Sequence, residues 1–482
     1  MDDHSGVRIS RRAFIQAVVI IFVLMLVAGG LTRIVPAGQY QRQELDGRQV
    51  IDPTTYQTVD RPDYPAWRWL TAPIEVLGAP GSGTLIGIIV FIVLVGIAFA
   101  VMDGSGILRA VIARIVTAFG GRKYPLMLAV TFFFMALGGF FGIFEEVIPL
   151  VPVIIALSIS LGWDSLVGLG MSVLATNVGF SSAVFNPFTI GIAHRLSGLP
   201  LFSGAGMRIG LFFVTYTILA LFLYRYARAV ERRPELSPVY REDDVERRKY
   251  ATFRIDDPAA MDPRQRPAII FLGMCFVLIL GVLVASPFVE ALSDLALPLT
   301  GLLFVIGGVG SGLIAGVGRR AGTAAWDGLL GILPAVPLLL MAASVRHIVA
   351  SGGILDTLLY WASNAFTGAS PFAAAMMIYG LTLVLELFIT SGSAKALLLI
   401  PILMPLADLV GVNRQIAVSA YAFGDGFSNL AYPTNAALLI TLSLTVVPYT
   451  KWLRWVVKLW VWVLLVTSIF LAIAVAIDYG PF

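Results

Sequence analysis

Apolar runs of membrane-crossing length alternate with short polar joints along almost the whole chain. A helix needs about 20 mostly apolar residues to span the hydrocarbon core of a bilayer. Phe14–Ile34, Thr84–Met102, Met207–Tyr226, Ala268–Val289, Leu297–Val317, Trp326–Val345 and Trp452–Val475 fit that pattern. Two more runs, Ser165–Ala193 and Ile416–Leu444, carry polar residues, glycine and proline in their middles. They predict broken helices, because backbone in lipid must satisfy its own hydrogen bonds and a break is tolerated only inside protein or along a cavity. Four shorter runs come in pairs. Pro125–Phe140 and Val147–Leu161 meet around G-G-F-F-G-I-F-E-E (Gly138–Glu146), and Phe372–Ile389 and Ala396–Leu409 meet around T-S-G-S-A-K (Thr390–Lys395). Each half is short for a crossing, so residues 125–161 and 372–410 read as re-entrant hairpins. Ile107, Leu108, Val111, Ile112, Ile115 and Val116 recur at helical spacing, as do Ile354, Leu355, Leu358, Leu359 and Trp361; both sets predict amphipathic surface helices. The fold class is an all-α polytopic membrane protein with about nine transmembrane helices.

Charge orients these elements. Only 13% of residues are charged and 58% are hydrophobic, whereas a soluble domain carries about 25% charged residues. Arginine and lysine concentrate before the first run (Arg8, Arg11, Arg12), in the proline-containing segment Arg225–Arg266, and at Lys451, Arg454 and Lys458. Basic loops stay on the cytoplasmic side, so the net charge of +4 reflects membrane topology and predicts no nucleic-acid partner. The N-terminus is expected inside, and polar Pro36–Pro80 outside, returning through an interfacial segment at Trp67 and Trp69. The C-terminal Phe482 is also expected outside. His194 and Arg195 read as interfacial, and Trp452, Trp455, Trp460 and Trp462 as lipid-facing anchors. Each half then runs crossing, crossing, surface helix, hairpin, broken helix, crossing. Residues 1–228 and 291–482 are expected to be inverted repeats, joined by a cytoplasmic linker and connecting helix over 229–290. The lone Cys275 excludes an intramolecular disulfide, and the three histidines lack metal-ligand spacing.

The chemistry collects at the interruptions. Asn177–Asn186 reads N-V-G-F-S-S-A-V-F-N, and Gly424–Asn435 reads G-D-G-F-S-N-L-A-Y-P-T-N. Paired broken helices in two halves point to the midplane binding site of a secondary transporter. Asn177, Ser181, Ser182, Asn186, Ser391, Gly392, Ser393, Ser428, Asn429, Thr434 and Asn435 are candidate substrate ligands; the competing role for each is helix packing. At the first hairpin tip, Gly142, Glu145 and Glu146 are candidates, because an intramembrane carboxylate is costly and marks function. The two acids would bind a substrate ammonium or carry a coupling proton; capping the next half-helix is the alternative. Asp425 would serve sodium or a cationic group, with sodium placed near Ser391, Asp425 and Asn429. Lys395 would meet a substrate carboxylate or pair with one of the acids, and Glu386 reads as structural. No cofactor is expected beyond a sodium or proton coupling ion.

The tips, the S-G-S-A-K-A-L-L-L-I-P run (Ser391–Pro401), the second broken segment and P-A-G-Q-Y (Pro36–Tyr40) carry a family likeness. The chain resembles the YfcC-type branch of the anaerobic dicarboxylate carrier-like (DcuC-like) transporters, within the ion transporter superfamily. The resemblance covers nearly the whole chain and is weakest from Gln41 to Pro73 and in the central loop. It implies a homodimer in a bacterial inner membrane, with a scaffold domain, a moving transport domain, and substrate held between tips and broken helices. Members of this branch are commonly named basic amino acid antiporters. Acids at one tip and a lysine at the other fit an amino acid; a mono- or dicarboxylate is the alternative substrate. A channel and a membrane enzyme are the competing classes. The aqueous segments show no nucleotide loop, metal motif or nucleophile–base pair.

Overall fold

The structure is a computed structural model that describes residues 11–45, 48–52, 54–80, 82–119, 121–244, 247, 264–285, 289, 295–318, 320–366 and 368–480. The expectations that rest on Arg8, on residues 248–263 of the proline-containing segment and on Phe482 lie outside them. Among the described residues, nine helices are long and apolar enough to cross a membrane. The number agrees with the sequence, but the members differ. Lys123–Phe141 and Gly392–Leu409, expected as hairpin halves, have spanning length, whereas Pro298–Ile314 is shorter. The run Ile416–Leu444 divides into helices Arg414–Ser428 and Ala436–Ser443.

Side-chain contacts fix how the helices run. Helix Arg11–Ile34 starts beside helix Tyr449–Ala476, where Thr450 Oγ1 donates to Gln16 Oε1 at 3.2 Å. Helix Ala205–Arg232 lies antiparallel to Tyr449–Ala476: Phe222 and Tyr226 pack on Trp455, and the Met207 N–H donates to Tyr479 Oη at 3.2 Å. The start of residues 123–161 meets the last turns of helix Ala205–Arg232, and the end is linked to that helix through Asp164. Lys123 pairs with Glu231 at 2.5 Å, while Ser158 Oγ donates to the Asp164 carbonyl and Tyr226 Oη to the Asp164 carboxylate. One large apolar cluster unites both halves, and a second joins helix Arg11–Ile34 to helix Ala335–Ser351.

Four findings depart from the sequence reading. The polar stretch after the first helix holds two antiparallel ladders, Gly38–Gln39 with Gln57–Thr58 and Arg42–Leu45 with Arg48–Ile51. Buried Asp356 ties this stretch to helix Leu355–Ala365 by accepting from the Tyr40 N–H at 2.9 Å and from Arg42 at 3.1 Å. His194 is not interfacial: it is fully buried, its Nδ1 accepts from the Phe202 N–H at 3.0 Å, and its Nε2 lies 3.3 Å from Gln415 Nε2. Trp452 and Trp455 are buried against neighbouring helices, and only Trp462 keeps the exposed, lipid-facing character expected of all four. The crossing Trp326–Val345 is two helices, Arg320–Ile332 and Ala335–Ser351, with Pro334 at their joint.

Candidate functional site

The first tip is built around a glycine. Helix Lys123–Phe141 ends at Gly142 with φ +69°, a left-handed conformation that L side chains rarely adopt. A Cβ there would also stand 2.5 Å from Asn186 Oδ1, so tip and first break approach only through glycine. Glu145 and Glu146 then open the 3₁₀ turn Glu145–Leu150, both half-buried. Glu146 Oε2 accepts the Phe144 N–H at 3.0 Å, a local contact in keeping with the capping alternative.

The second tip is a helix N-terminus. Ser391 caps helix Gly392–Leu409 by accepting from the Ala394 N–H at 3.4 Å, and its Oγ lies 3.3 Å from Ser393 Oγ. Lys395, one turn in, is fully buried; its Nζ donates to Asp425 Oδ1 at 2.8 Å and pairs with Glu386. Its partners are thus Asp425 and Glu386, not Glu145 or Glu146. Tyr421 Oη donates to the Gly392 carbonyl at 2.6 Å, which ties the tip to the second broken helix.

Both breaks are satisfied by side chains from the helix that follows. In the first, helix Ala175–Ser182 ends at Ala183, held at φ +49°. Arg208, fully buried, donates to the carbonyls of Ala183, Val184, Phe202 and Ser203. Asn186 then caps the π-helical turn Pro187–Gly191 by accepting from the N–H groups of Phe188 and Thr189. In the second, Trp452 Nε1–H reaches the Leu430 carbonyl at 3.0 Å and Tyr449 Oη–H the Ala431 carbonyl at 2.6 Å. Asn435 caps helix Ala436–Ser443 through the Leu438 N–H at 2.8 Å and donates to Asn429 Oδ1 at 2.5 Å. Both broken segments contain G-F-S, at Gly179–Ser181 and Gly426–Ser428, and its glycines serve close packing. Gly179 lies against the Met135 backbone, and Gly426 against Ser181, so the broken helices touch each other there.

A cavity of about 730 Å³ opens among these parts. Gly142, Glu145, Glu146, Ser391, Gly392, Ser393, Asp425, Asn429, Thr434 and Asn435 line it. Asn177, Ser181, Ser182, Asn186, Lys395 and Ser428 do not. Ser181, Ser182 and Ser428 give their hydroxyls to carbonyls one turn back. The buried Oγ1 atoms of Thr434 and Thr189, both on the cavity wall, have no hydrogen-bond partner among the described residues. Ser391, Asp425 and Asn429 share that wall, and neutral oxygens with one carboxylate suit sodium chemically; Lys395 already balances Asp425.

The sequence reading missed Arg346 and His347, which line the cavity from helix Ala335–Ser351. Ending that run at Val345 placed them beyond it. The buried positions Leu338, Ala342, Val345, Ile348 and Val349 continue the helical stripe past them, and that was the available signal. His347 Nε2 lies 3.3 Å from Glu75 Oε2, and Arg68 pairs with the same oxygen at 2.7 Å. The Arg68 guanidinium holds the Glu75 carboxyl down to about 2, against burial and with help from Thr71 and His347.

This is the fold of a multi-pass membrane transporter. The family model described as C4-dicarboxylate anaerobic carrier, DcuC, matches residues 14–476, and the chain belongs to that family. It is 30% identical, over 92% of this chain and 93% of the other, to the Escherichia coli (strain K12) protein called "Putative basic amino acid antiporter YfcC". Two solved transporters share 15% identity with it. The Alcanivorax borkumensis YdaH transporter matches with a TM-score of 0.41, over 96% of this chain and 100% of that one. Neisseria gonorrhoeae MtrF matches with a TM-score of 0.38, over 96% of this chain and 94% of that one.

Proposed function

We propose that this protein is a secondary active transporter of amino acids, basic ones included, that works by exchange or ion coupling in a bacterial inner membrane. The observation that carries the reading is the cavity lining. It brings two adjacent carboxylates, Glu145 and Glu146, to the same cavity as the N-termini of helices Gly392–Leu409 and Ala436–Ser443. Carboxylates attract an ammonium group, and helix N-termini attract a carboxylate. An amino acid carries both. The name of the Escherichia coli relative supports the same class.

Alternating access follows if the two halves are inverted repeats, with the hairpins re-entering the membrane and the N-terminus inside; the matching tips and breaks support that arrangement. A second copy forms a homodimer on this reading, and sodium or a proton supplies the coupling. The second substrate reading is a mono- or dicarboxylate, favoured by the description of the family.

The test is counterflow into proteoliposomes across a panel of amino acids and carboxylates. Saturable exchange of amino acids, lost in Glu145→Gln or Glu146→Gln while the protein still inserts, is expected. Wild-type kinetics in both variants would leave the acids as caps, and exchange confined to carboxylates would replace the substrate class.

A further inference from the structure

Among the described residues Arg346 has no counter-ion. It lies in the apolar span Arg320–Ser351, is exposed, and lines the cavity. Among the described residues it is the one lysine or arginine on the lining, because Lys395 and Arg208 are buried behind the wall. Two carboxylates at or beside the cavity are engaged by other cations. Glu75 holds Arg68 and His347, and Asp425 holds Lys395 at 2.8 Å. No hydrogen bond or ion pair to Arg346 occurs among the described residues. A cation in a membrane span is costly and is kept for a pathway, a partner or a ligand. Its planar fork of five N–H donors suits a carboxylate held by two parallel bonds, a geometry that a lysine cannot match.

Arg346 also belongs to a different part of the molecule from the acids. Its helix packs with Arg11–Ile34 and Arg68–Glu75, whereas Glu145 and Glu146 sit on the first tip. Positive and negative charge thus face one cavity from separate walls. We infer that Arg346 recognises the carboxylate of the transported molecule and makes the cavity prefer carboxylate-bearing molecules over their decarboxylated counterparts. The inference rests on reading the cavity as the transport site, and it deepens the amino-acid assignment by dividing its two charges between two walls.

The probes are matched pairs, lysine with cadaverine and arginine with agmatine, in proteoliposomes. Removing a hydrogen-bonded charged partner weakens binding by about tenfold or more. Arg346→Gln is expected to raise KM for lysine by about that factor and to change KM for cadaverine by less than about twofold. Arg346→Lys keeps the charge but not the fork, so it falls between, and it carries the same comparison should Arg346→Gln fail to insert. Arg346→Cys in a Cys275→Ala background adds chemical rescue. A cationic aminoethyl thiosulfonate should restore preference for the acid, and a neutral methyl reagent should not. Equal losses for both members of a pair would make Arg346 a general electrostatic or structural element, and no loss for either would remove it from the site. If wild-type protein moves a carboxylate but no amino acid, the amino-acid reading fails by itself. Lactate and lactamide then form the pair, and equal discrimination in wild type and Arg346→Gln would overturn the role given to Arg346.

Discussion

At the first break the carbonyls of Ala183 and Val184 receive the guanidinium of Arg208; at the second those of Leu430 and Ala431 receive an indole N–H and a phenol O–H. The problem is the same, since carbonyls freed inside a membrane protein need donors. The surroundings explain why the donors differ. The second break lines the cavity through Asn429, Thr434 and Asn435, one turn from Asp425 and its partner Lys395. The first break keeps Ser181, Ser182 and Asn186 off the cavity, with Arg208 fully buried behind them. One broken helix reaches the cavity only through Phe180, Phe188 and Thr189, and its break is an interior joint held by a fixed charge. The other is a cavity wall whose freed carbonyls are held by neutral donors, and it brings Asp425 to the lining.

Removing the fixed charge should have the largest effect. Arg208→Met leaves up to four buried carbonyls without their donor. Each such group costs about 1–3 kcal/mol, so the loss amounts to several kcal/mol and folded protein should be hard to recover. Trp452→Phe removes one donor and should cost about 1 kcal/mol. Thermal unfolding in detergent would rank the two, and equal shifts would erase the distinction between the breaks.

The next effect concerns function. Asn429→Ala opens the cavity wall and removes the acceptor for Asn435, so uptake should fall about tenfold with normal insertion. Asn186→Ala removes a cap off the cavity, and its main result should be a stability loss of about 1 kcal/mol. Uptake kinetics and melting curves for both variants separate the roles. If Asn186→Ala alone abolished uptake at unchanged stability, the first break would be the wall.

Much of this was legible in the chain. Run lengths gave most of the helices, because the hydrophobic thickness of a bilayer sets the length of a crossing. The breaks showed themselves through proline, glycine and amides, and the second of them does line the cavity. What stayed hidden depends on orientation. Ser181, Ser182 and Ser428 look like ligands until their hydroxyls are seen to satisfy their own helices. Lys395 carries the same charge whether it faces substrate or Asp425, and only packing chooses. Arg346 was missed because apolar length places a helix end loosely, and a residue one turn inside that end looks like one outside it. Trp452 matches the pattern of an interfacial anchor, and its indole bond to Leu430 depends on a partner remote in sequence.

The smallest effect separates the starts of the two broken helices. The second starts at neutral Asn413, which accepts the Gln415 N–H at 3.0 Å. The first starts at Asp164, which caps Val167 at 2.9 Å and also accepts from Ser237 and Tyr226. Beside it, Asp243 of the linker accepts the Ser165 N–H at 2.9 Å and its hydroxyl at 2.5 Å. Burial pushes the Asp243 carboxyl up to about 7, with the Asp164 charge adding and the Ser165 bonds opposing. An acid that titrates higher when docked than when free loses docking strength as the free form gives up its proton. Docking of the linker is therefore strongest below about pH 4, weakens as pH rises to about 7, and is flat above that. Hydrogen exchange at the Ser165 and Val167 amides, corrected for intrinsic rates, should show protection falling between about pH 4 and about pH 7 in wild type. In Asp243→Asn that slope should vanish, while the amides of Ile416 and Ala417 stay flat in both. A slope that survives in Asp243→Asn would assign it to another group, and the same slope at Ile416 would mean that the two helix starts do not differ.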